Sequence, residues 1–351
     1  MQGRAMGGSR AFTLVELLVV IVIVLLLVSI LLPAVGGARN AAKRASTQSL
    51  IAGINTAASQ YRADQRKAPG YFEQEEMGAA SNDPNQGGGG FTNMENAILA
   101  LAGGVVTDSD LISAGPSTNT PPDLILVGPY ASGSNNLVLV SRGQIGAEGG
   151  PGYLTLPEDF VEFRPELETK GQTGLEDNQW MPDILDAFGT PLLMWTRNEI
   201  AGQEAGFAQV QAPPSGSSPA QRGQFYWNSN AGMLTSEGLG RRRTNNQATD
   251  SLVGTSMALE DRVFAIEAIC GNPSLPATDS DPTNIGFSPS VPAQAKGDVV
   301  VHSAGRDGIF LNKGDNSPFR RVRYHVEGRS DLESEDATID LFDDIIVGGG
   351  S

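Results

Sequence analysis

The sequence has very little of the side-chain chemistry from which most enzyme active sites are built. Among its 351 residues there is one cysteine, Cys270, and there are two histidines, His302 and His325. One cysteine excludes an intramolecular disulfide, and two histidines leave little material for a histidine-based metal centre or a Ser-His-Asp triad. The P-loop and nucleophile-elbow motifs are absent, and no G-x-G-x-x-G follows a strand and opens a helix. We therefore expect that the protein is not an enzyme.

Positive charge is also scarce. The chain has 24 Lys and Arg against 40 Asp and Glu, a formal net charge of −16, so the basic surface typical of nucleic-acid binding is missing. We interpret the short run Arg241–Arg243 as part of a solvated loop and expect no nucleic-acid partner. The 43 glycines and 21 prolines predict many turns. They concentrate in long loops at Ser81–Gly90, Gly202–Gly223 and Asn272–Gly297.

A long apolar run dominates the beginning of the sequence. Residues 12–35 are nearly all Leu, Val and Ile, and they follow a leader that contains Arg4 and Arg10 but no acid. About 20 apolar residues span a bilayer core, and positive charge is retained on the cytoplasmic side. The run therefore predicts a single membrane span with the rest of the chain outside the cytoplasm.

Two residues interrupt this run, Glu16 near its start and Pro33 near its end. A carboxylate in hydrocarbon is unfavourable by about 2.5–3.5 kcal/mol and usually has a specific partner. Cleavage between Ala11 and Phe12 would create an N-terminal ammonium four residues from Glu16, which could serve as that partner on the same or a neighbouring subunit. The alternative is a plain signal anchor with an incidental acid at the membrane edge.

The stretch Arg10-Ala11-Phe12-Thr13-Leu14-Val15-Glu16-Leu17-Leu18 resembles the cleavage and methylation motif of type IV prepilins and type II secretion pseudopilins. The resemblance implies that a prepilin peptidase cuts between Ala11 and Phe12 and methylates Phe12. It implies that Glu16 is required for assembly and that Pro33 is a helix-loosening kink. Ala11 departs from the usual glycine, and we expect slower cleavage as a result.

The predicted architecture is α+β. The spacing of apolar residues after Pro33 predicts one helix from Phe12 to about Lys67, which ends at Pro69-Gly70. We expect a cleaved leader (1–11), a transmembrane half of the helix (12–35), an amphipathic half (36–68) and a globular domain with a small antiparallel sheet and long loops (69–351). This arrangement resembles the lollipop shape of pilins.

Within the globular part, Thr92-Asn93-Met94-Glu95 reads as a capping box that opens a short helix ending before Gly103. The pattern predicts a second helix at Ser256–Cys270, in which Cys270 is a buried apolar side chain. Alternation and composition predict five strands: Leu124–Val127, Leu137–Val140, Leu192–Thr196, Gln224–Trp227 and Val299–His302.

Two stretches of the globular part resemble major pseudopilins. The first, Asp186–Trp195, predicts a tight structural turn before a strand. The second, Asp298–Gly308, contains a strand followed by S-x-G-x-D-G, and Asp343-Asp344-Ile345 supplies the acidic ending of the loop that this motif opens. In the family this loop binds calcium.

The resemblance implies calcium ligands at Ser303, Asp307, Asp343 and Asp344, with Asp315 as a further candidate. Calcium takes six to eight oxygen ligands, which such a loop can supply. The departure is the length of the loop, about 35 residues from Asp307 to Asp343, within which Phe319–Val326 could add a strand. The alternative is a set of solvated turn acids.

These features lead to a functional hypothesis with two alternatives. The first is a structural subunit of a type II secretion pseudopilus or a type IV pilus-like filament. Its partners would be itself or other pseudopilins, the prepilin peptidase and the inner-membrane assembly platform. The second is a membrane-anchored enzyme or extracytoplasmic binding protein. The third is a minor pseudopilin or a substrate-binding adaptor at the filament tip. We expect the subunit in the inner membrane first and in the filament afterwards.

Overall fold

The computed structural model describes residues 14–72, 92–106, 124–127, 138–141, 145, 152–156, 160–162, 183–198, 207–209, 224–226, 230, 233–234, 247–254, 256–257, 262, 265–266, 269–271, 295–315 and 342–349. The chain divides into two compact units, Met1–Ala45 and Ser46–Ser351. This boundary lies inside the first helix. The predicted division into 1–11, 12–35, 36–68 and 69–351 rests on processing and membrane insertion rather than on contacts, and it stays a prediction.

Helix α1 spans Leu14–Gln65 and contains Pro33. It agrees with the predicted helix to within two residues at either end, the first two predicted residues lying outside the described part. In the first unit the large apolar side chains that the structure describes are exposed, from 79 % at Leu14 to 43 % at Val28. Exposure of this kind along a helix indicates a surface that another apolar phase or another chain would cover.

Among the described residues, no helix reaches the length and apolarity that crossing a membrane would require.

In the second unit, the end of α1 buries an apolar stripe made of Leu50, Ile51, Ile54, Ala57 and Ala58. These positions recur at helical spacing, so they share one face. The amphipathic half was predicted from residue 36, but the alanines at 38, 41, 42 and 45 are exposed. The helix ends at Gln65, and Arg66 follows with φ of 58°.

Helix α2 spans Asn93–Leu101 and begins with the predicted capping box. The Thr92 hydroxyl accepts a hydrogen bond from the Glu95 amide at 3.3 Å. The Glu95 carboxylate in turn accepts from the Thr92 amide. Ala102 caps the other end, and Gly103 and Gly104 follow with φ of 82° and 108°. The prediction for this helix is confirmed.

Nine strands form three antiparallel sheets in the described part. The two small sheets pair β1 (Leu124–Val127) with β2 (Val138–Ser141), and β3 (Val161–Glu162) with β4 (Asp183–Ile184). The central sheet has the order β6-β7-β5-β8-β9. Its strands are β5 (Leu193–Asn198), β6 (Phe207–Gln209), β7 (Gln224–Tyr226), β8 (Val299–Ser303) and β9 (Ile345–Gly349). Between β7 and β8 lies a one-turn helix, α3 (Gln247–Asp250).

The central sheet carries an apolar core on each face. Alternation along β5 sends Leu193 and Trp195 into one core with Phe225 and Phe310. Met194, the residue between them, enters the other core, where α1 and α2 pack. The α+β class with a small antiparallel sheet is therefore confirmed.

All five predicted strands are confirmed, with shifts of one or two residues at some ends. Four strands are not among the predicted ones. Two of them are the two-residue strands β3 and β4. Strand β6 lies inside Gly202–Gly223, which the sequence predicts as loop, and β9 follows the acidic residues that the sequence predicts as the end of a loop. Residues 81–90 and 319–326 lie outside the described residues. Of the predicted helix at Ser256–Cys270, seven residues are described. Residues 262, 265, 266, 269 and 270 are helical, whereas 256 and 257 lie in a turn, so the predicted start of the helix is wrong.

Candidate functional site

The first candidate site is the beginning of α1. Glu16 lies in the first turn of this helix, where its carboxylate faces the positive end of the helix dipole. Leu14, Val15, Leu17 and Leu18 around it are more than half exposed, so an acid sits within an exposed apolar surface. The predicted cleavage residues Ala11 and Phe12 lie outside the described residues. Pro33 is exposed within α1, and its role as a kink stays a prediction.

The second candidate site is an acidic cluster near the ends of β8 and β9. Carboxylate oxygens of Asp307, Asp315 and Asp343 all lie within 4.8 Å of one another. Asp307 and Asp315 come from the loop after β8, whereas Asp343 comes from the segment that leads into β9. The pairing of β8 with β9 brings these two segments together, although they are far apart in the sequence.

Backbone amides hold the acidic cluster in place. Oδ2 of Asp343 accepts hydrogen bonds from the amides of Arg306 (2.8 Å) and Asp307 (3.1 Å). The Asp307 carboxylate accepts from the Ile309 amide at 2.8 Å and from the Asn312 side-chain amide at 2.5 Å. These bonds within the protein fix the orientation of the two carboxylates.

Gly305 makes the close approach of the two segments possible. Its φ is 67°, a backbone conformation that residues other than glycine rarely adopt. A Cβ at this position would lie 2.4 Å from the carbonyl oxygen of Asp343. Only glycine fits where the loop after β8 passes the backbone of Asp343.

The electrostatics of the cluster favour a cation. Burial, followed by the charges of Asp307, Asp344 and Asp315, raises the pKa of Asp343 to about 7. Oxygens that ligate one Ca²⁺ at about 2.4 Å are at most about 4.8 Å apart, and the three oxygens of the cluster lie within this limit. Oδ2 of Asp315 is buried and accepts no hydrogen bond in the described part. The residues present therefore fit a hard divalent cation.

Asp344, also predicted as a ligand, lies in a different environment from Asp343. Its Oδ2 lies 2.5 Å from Nε2 of His302, and both side chains are fully buried. Burial raises the pKa of Asp344 well above its usual value and lowers the pKa of His302 to about 3. His302 is therefore neutral at physiological pH.

The remaining predicted ligand, Ser303, bonds to the turn after β4. Its hydroxyl donates to Oδ2 of Asp186 at 2.6 Å and accepts from the Gly305 amide at 3.1 Å. Oδ1 of Asp186 accepts from the amides of Phe188 and Thr190, both at 2.9 Å. This turn has the structural role that the Asp186–Trp195 pattern predicted, and burial raises the pKa of Asp186.

Sequence reasoning did not identify the partners of these buried acids. His302 is one residue before Ser303 in the motif, but nothing local in the sequence connects it with Asp344, and no local pattern connects Ser303 with Asp186. Cys270 is buried, as predicted, and burial raises its pKa. Arg241–Arg243 and His325 lie outside the described residues.

In comparison with known proteins, residues 6–32 match the family model described as the prokaryotic N-terminal methylation motif. No curated protein and no solved structure matches the chain. The match ends at residue 32, so the resemblance of the C-terminal part to major pseudopilins stays a prediction. The chain carries the N-terminal methylation motif that is the hallmark of type IV pilins and pseudopilins.

Proposed function

We propose that the protein is a structural subunit of a type II secretion pseudopilus or of a type IV pilus-like filament, without enzymatic activity. The observation that carries this proposal is the methylation motif at residues 6–32, which continues directly into α1. Proteins with this motif are structural rather than enzymatic. The subunit is processed between Ala11 and Phe12 by a prepilin peptidase. It then assembles with copies of itself or with other pseudopilins on an inner-membrane platform.

Residues 12–35 form the membrane-embedded segment before assembly. The support is the exposed apolar surface of α1 between Leu14 and Val35, whose side chains gain free energy on leaving water. The part of the chain after this segment lies outside the cytoplasm, because the basic leader stays inside. Assembly replaces lipid around this surface with the same surface of neighbouring subunits.

Glu16 provides register in the filament. After cleavage, the new ammonium of Phe12 is the nearest cation that the motif creates, and in an apolar environment a carboxylate gains strongly from an opposite charge. Pairing Glu16 with this ammonium on a neighbouring subunit positions one α1 against the next. A subunit that is out of register leaves its carboxylate without that charge.

N-terminal mass spectrometry of the protein from its native host tests the processing step. We expect N-methyl-Phe12 as the first residue. An intact leader in protein taken from assembled filaments would contradict the proposal.

Two substitutions test assembly separately. We expect Glu16→Val to insert in the membrane normally but to be absent from sheared filaments. Ser29→Ala is the matched control, because the Ser29 hydroxyl bonds within its own helix, to the Leu26 carbonyl at 2.8 Å, and carries no charge. Normal incorporation of Glu16→Val would refute the pairing.

We also propose that the acidic cluster binds calcium in this subunit. The three carboxylates of Asp307, Asp315 and Asp343 converge within 4.8 Å, and their mutual repulsion is relieved by a cation. Isothermal titration of the full chain in detergent tests this. Asp315→Asn should weaken binding strongly, whereas Asp250→Asn, an exposed acid of α3, should have no effect. If Asp315→Asn bound calcium as tightly as Asp250→Asn does, the cluster would be a set of solvated turn acids.

An adaptor at the filament tip is the second candidate, and the size of the region 69–351 favours it over a subunit repeated along the fibre. Subunit counting in isolated filaments distinguishes the two. A tip adaptor is present in one or a few copies, whereas a major subunit scales with filament length.

A further inference from the structure

Asp343 and Asp344 are adjacent in the sequence, yet their carboxylates hold different points of the same loop. Asp343 accepts from the amides of Arg306 and Asp307, at the start of the loop. Asp344 accepts from the amide of Leu311 at 3.1 Å, four residues further along the loop. The two carboxylates therefore hold the backbone at Asp307 and at Leu311, on both sides of residues 308–310.

Leu311 has an unfavourable backbone conformation. Its φ is 47°, one of two positive values among the described non-glycine residues. A bulky side chain is disfavoured there, and such a conformation persists only where surrounding contacts impose it. Leu311 is 1 % exposed, and its carbonyl accepts from the Leu252 amide at 3.0 Å. Its place in the chain is midway between Asp307 and Asp315, so its conformation sets how these two acids converge.

The Asp344 carboxylate is itself held by His302. Nε1 of Trp195 donates to Nδ1 of His302 at 3.3 Å, which leaves the proton of the neutral ring on Nε2. Nε2 therefore donates to Oδ2 of Asp344 over 2.5 Å. The ring of Phe310 packs edge-to-face on His302 with centroids 4.9 Å apart. A buried chain thus runs from Trp195 through His302 and Asp344 to the amide of Leu311.

We propose that His302 and Asp344 are positioning residues, which hold Leu311 in its left-handed conformation. This conformation brings Asp307 and Asp315 to Asp343, and Asp344 is not itself a cation ligand. This inference rests on the cation site proposed above. Its support is that Oδ2 of Asp344 accepts two hydrogen bonds and that the converging acidic group consists of Asp307, Asp315 and Asp343 and does not include Asp344. Oδ1 of Asp344 is buried and accepts no hydrogen bond in the described part, and the experiment below decides whether it reaches the cation.

Terbium luminescence of the full chain in detergent tests the inference. Tb³⁺ replaces Ca²⁺ at oxygen sites, and its lifetimes in H₂O and D₂O count the water molecules bound to the ion. Asp315→Asn is the reference for loss of a direct ligand, and we expect weaker binding with about one additional water. Asp344→Asn and His302→Gln should each weaken Tb³⁺ and Ca²⁺ binding by about tenfold, as outer-shell substitutions do, with the water count unchanged.

The double variant and a rescue variant separate positioning from a general loss of stability. Because His302 acts through Asp344, combining the two substitutions should weaken binding no more than the stronger one alone. Leu311→Gly in the Asp344→Asn background should restore much of the affinity, because glycine adopts a positive φ without the carboxylate. This rescue is expected even though Leu311→Gly lowers the thermal stability. It also keeps the test decisive if His302→Gln fails to fold.

The outcomes are distinct. An additional water in Asp344→Asn, as in Asp315→Asn, would identify Asp344 as a ligand and overturn the inference. Unchanged affinity in Asp344→Asn, or no rescue by Leu311→Gly, would also overturn it. If the wild-type chain binds neither Tb³⁺ nor Ca²⁺, the cation site and the inference fail together. The filament proposal is then still judged separately, by the N-terminal mass.

Discussion

Replacing Gly305 by alanine isolates the close approach on which the acidic cluster depends. The new Cβ would lie 2.4 Å from the carbonyl oxygen and 2.7 Å from the carbonyl carbon of Asp343, whereas real Cβ contacts do not fall below 3.0 Å. Both neighbours are backbone atoms, so no side-chain rotation relieves the clash. The two segments that carry the cluster must move apart.

The size of the effect follows from three contributions. Alanine at φ of 67° is unfavourable by about 1–2 kcal/mol relative to glycine. Separation of the segments stretches the hydrogen bonds from the Arg306 and Asp307 amides to Oδ2 of Asp343, now 2.8 and 3.1 Å, and such a bond contributes about 1 kcal/mol. With the residual clash, we expect the free energy of unfolding to fall by about 2–4 kcal/mol.

Urea unfolding followed by circular dichroism measures this difference. Gly53→Ala is the matched control within the same unit, because Gly53 lies on the exposed face of α1 and a Cβ there would meet nothing within 4 Å. Alanine is the better helix former, so this control should raise the free energy of unfolding by about 0.5–1 kcal/mol. If Gly305→Ala stayed within about 0.5 kcal/mol of the wild type, the geometry described for the cluster would be wrong.

Three further predictions concern single residues. The pKa of Asp343 is raised to about 7, so the folded cation-free chain holds a proton that the unfolded chain releases, and its stability should fall as the pH rises from about 4 through 7. Cation binding must displace this proton, so cation affinity should fall by up to about tenfold per pH unit below 7. A calorimetric titration that shows no proton release on cation binding at pH 6 would contradict the raised pKa. Asn96→Ala removes an oxygen that accepts from the amides of Tyr71 and Phe72, both at 2.8 Å, and should lower the free energy of unfolding by about 2–4 kcal/mol. A loss below about 1 kcal/mol in urea would be inconsistent with these two bonds, of which the one from Phe72 is buried and the one from Tyr71 is half-buried. Cys270 is 0 % exposed and should react with a thiol reagent only in denaturant, so rapid labelling of the folded chain would refute its burial.

The segments that sequence reasoning predicted well are those whose structure is decided by near neighbours. The capping box at Thr92–Glu95 is built from residues three apart, so its pattern is sufficient to predict it. The five strands were recognisable because alternation and composition are local properties. Strand β6 was missed because it is short and lies in a Gly- and Pro-rich stretch. Strand β9 was missed because its pairing with β8 is a long-range contact.

The acidic site shows the same division. The motif from Ser303 to Asp307 and the acids at Asp343 and Asp344 were recognisable as candidates, but their separate roles were not. Two adjacent carboxylates look alike in a sequence. Which of them meets other acids and which meets a buried histidine depends on the direction of each side chain as β9 begins.

The sequence by itself determined the character of the N-terminal segment, because a processing motif and an apolar run are read along the chain and need no distant partner. It also determined the helix that follows them. Only the tertiary structure decided which side chains meet at the acidic site. Asp343 lies 36 residues along the chain from Asp307, whose amide it accepts from, and His302 lies 42 residues from Asp344. Ser303 lies 117 residues from Asp186. The physical reason is that contacts over such separations form only when β8 pairs with its neighbours and the core closes around them, and no local pattern specifies that pairing.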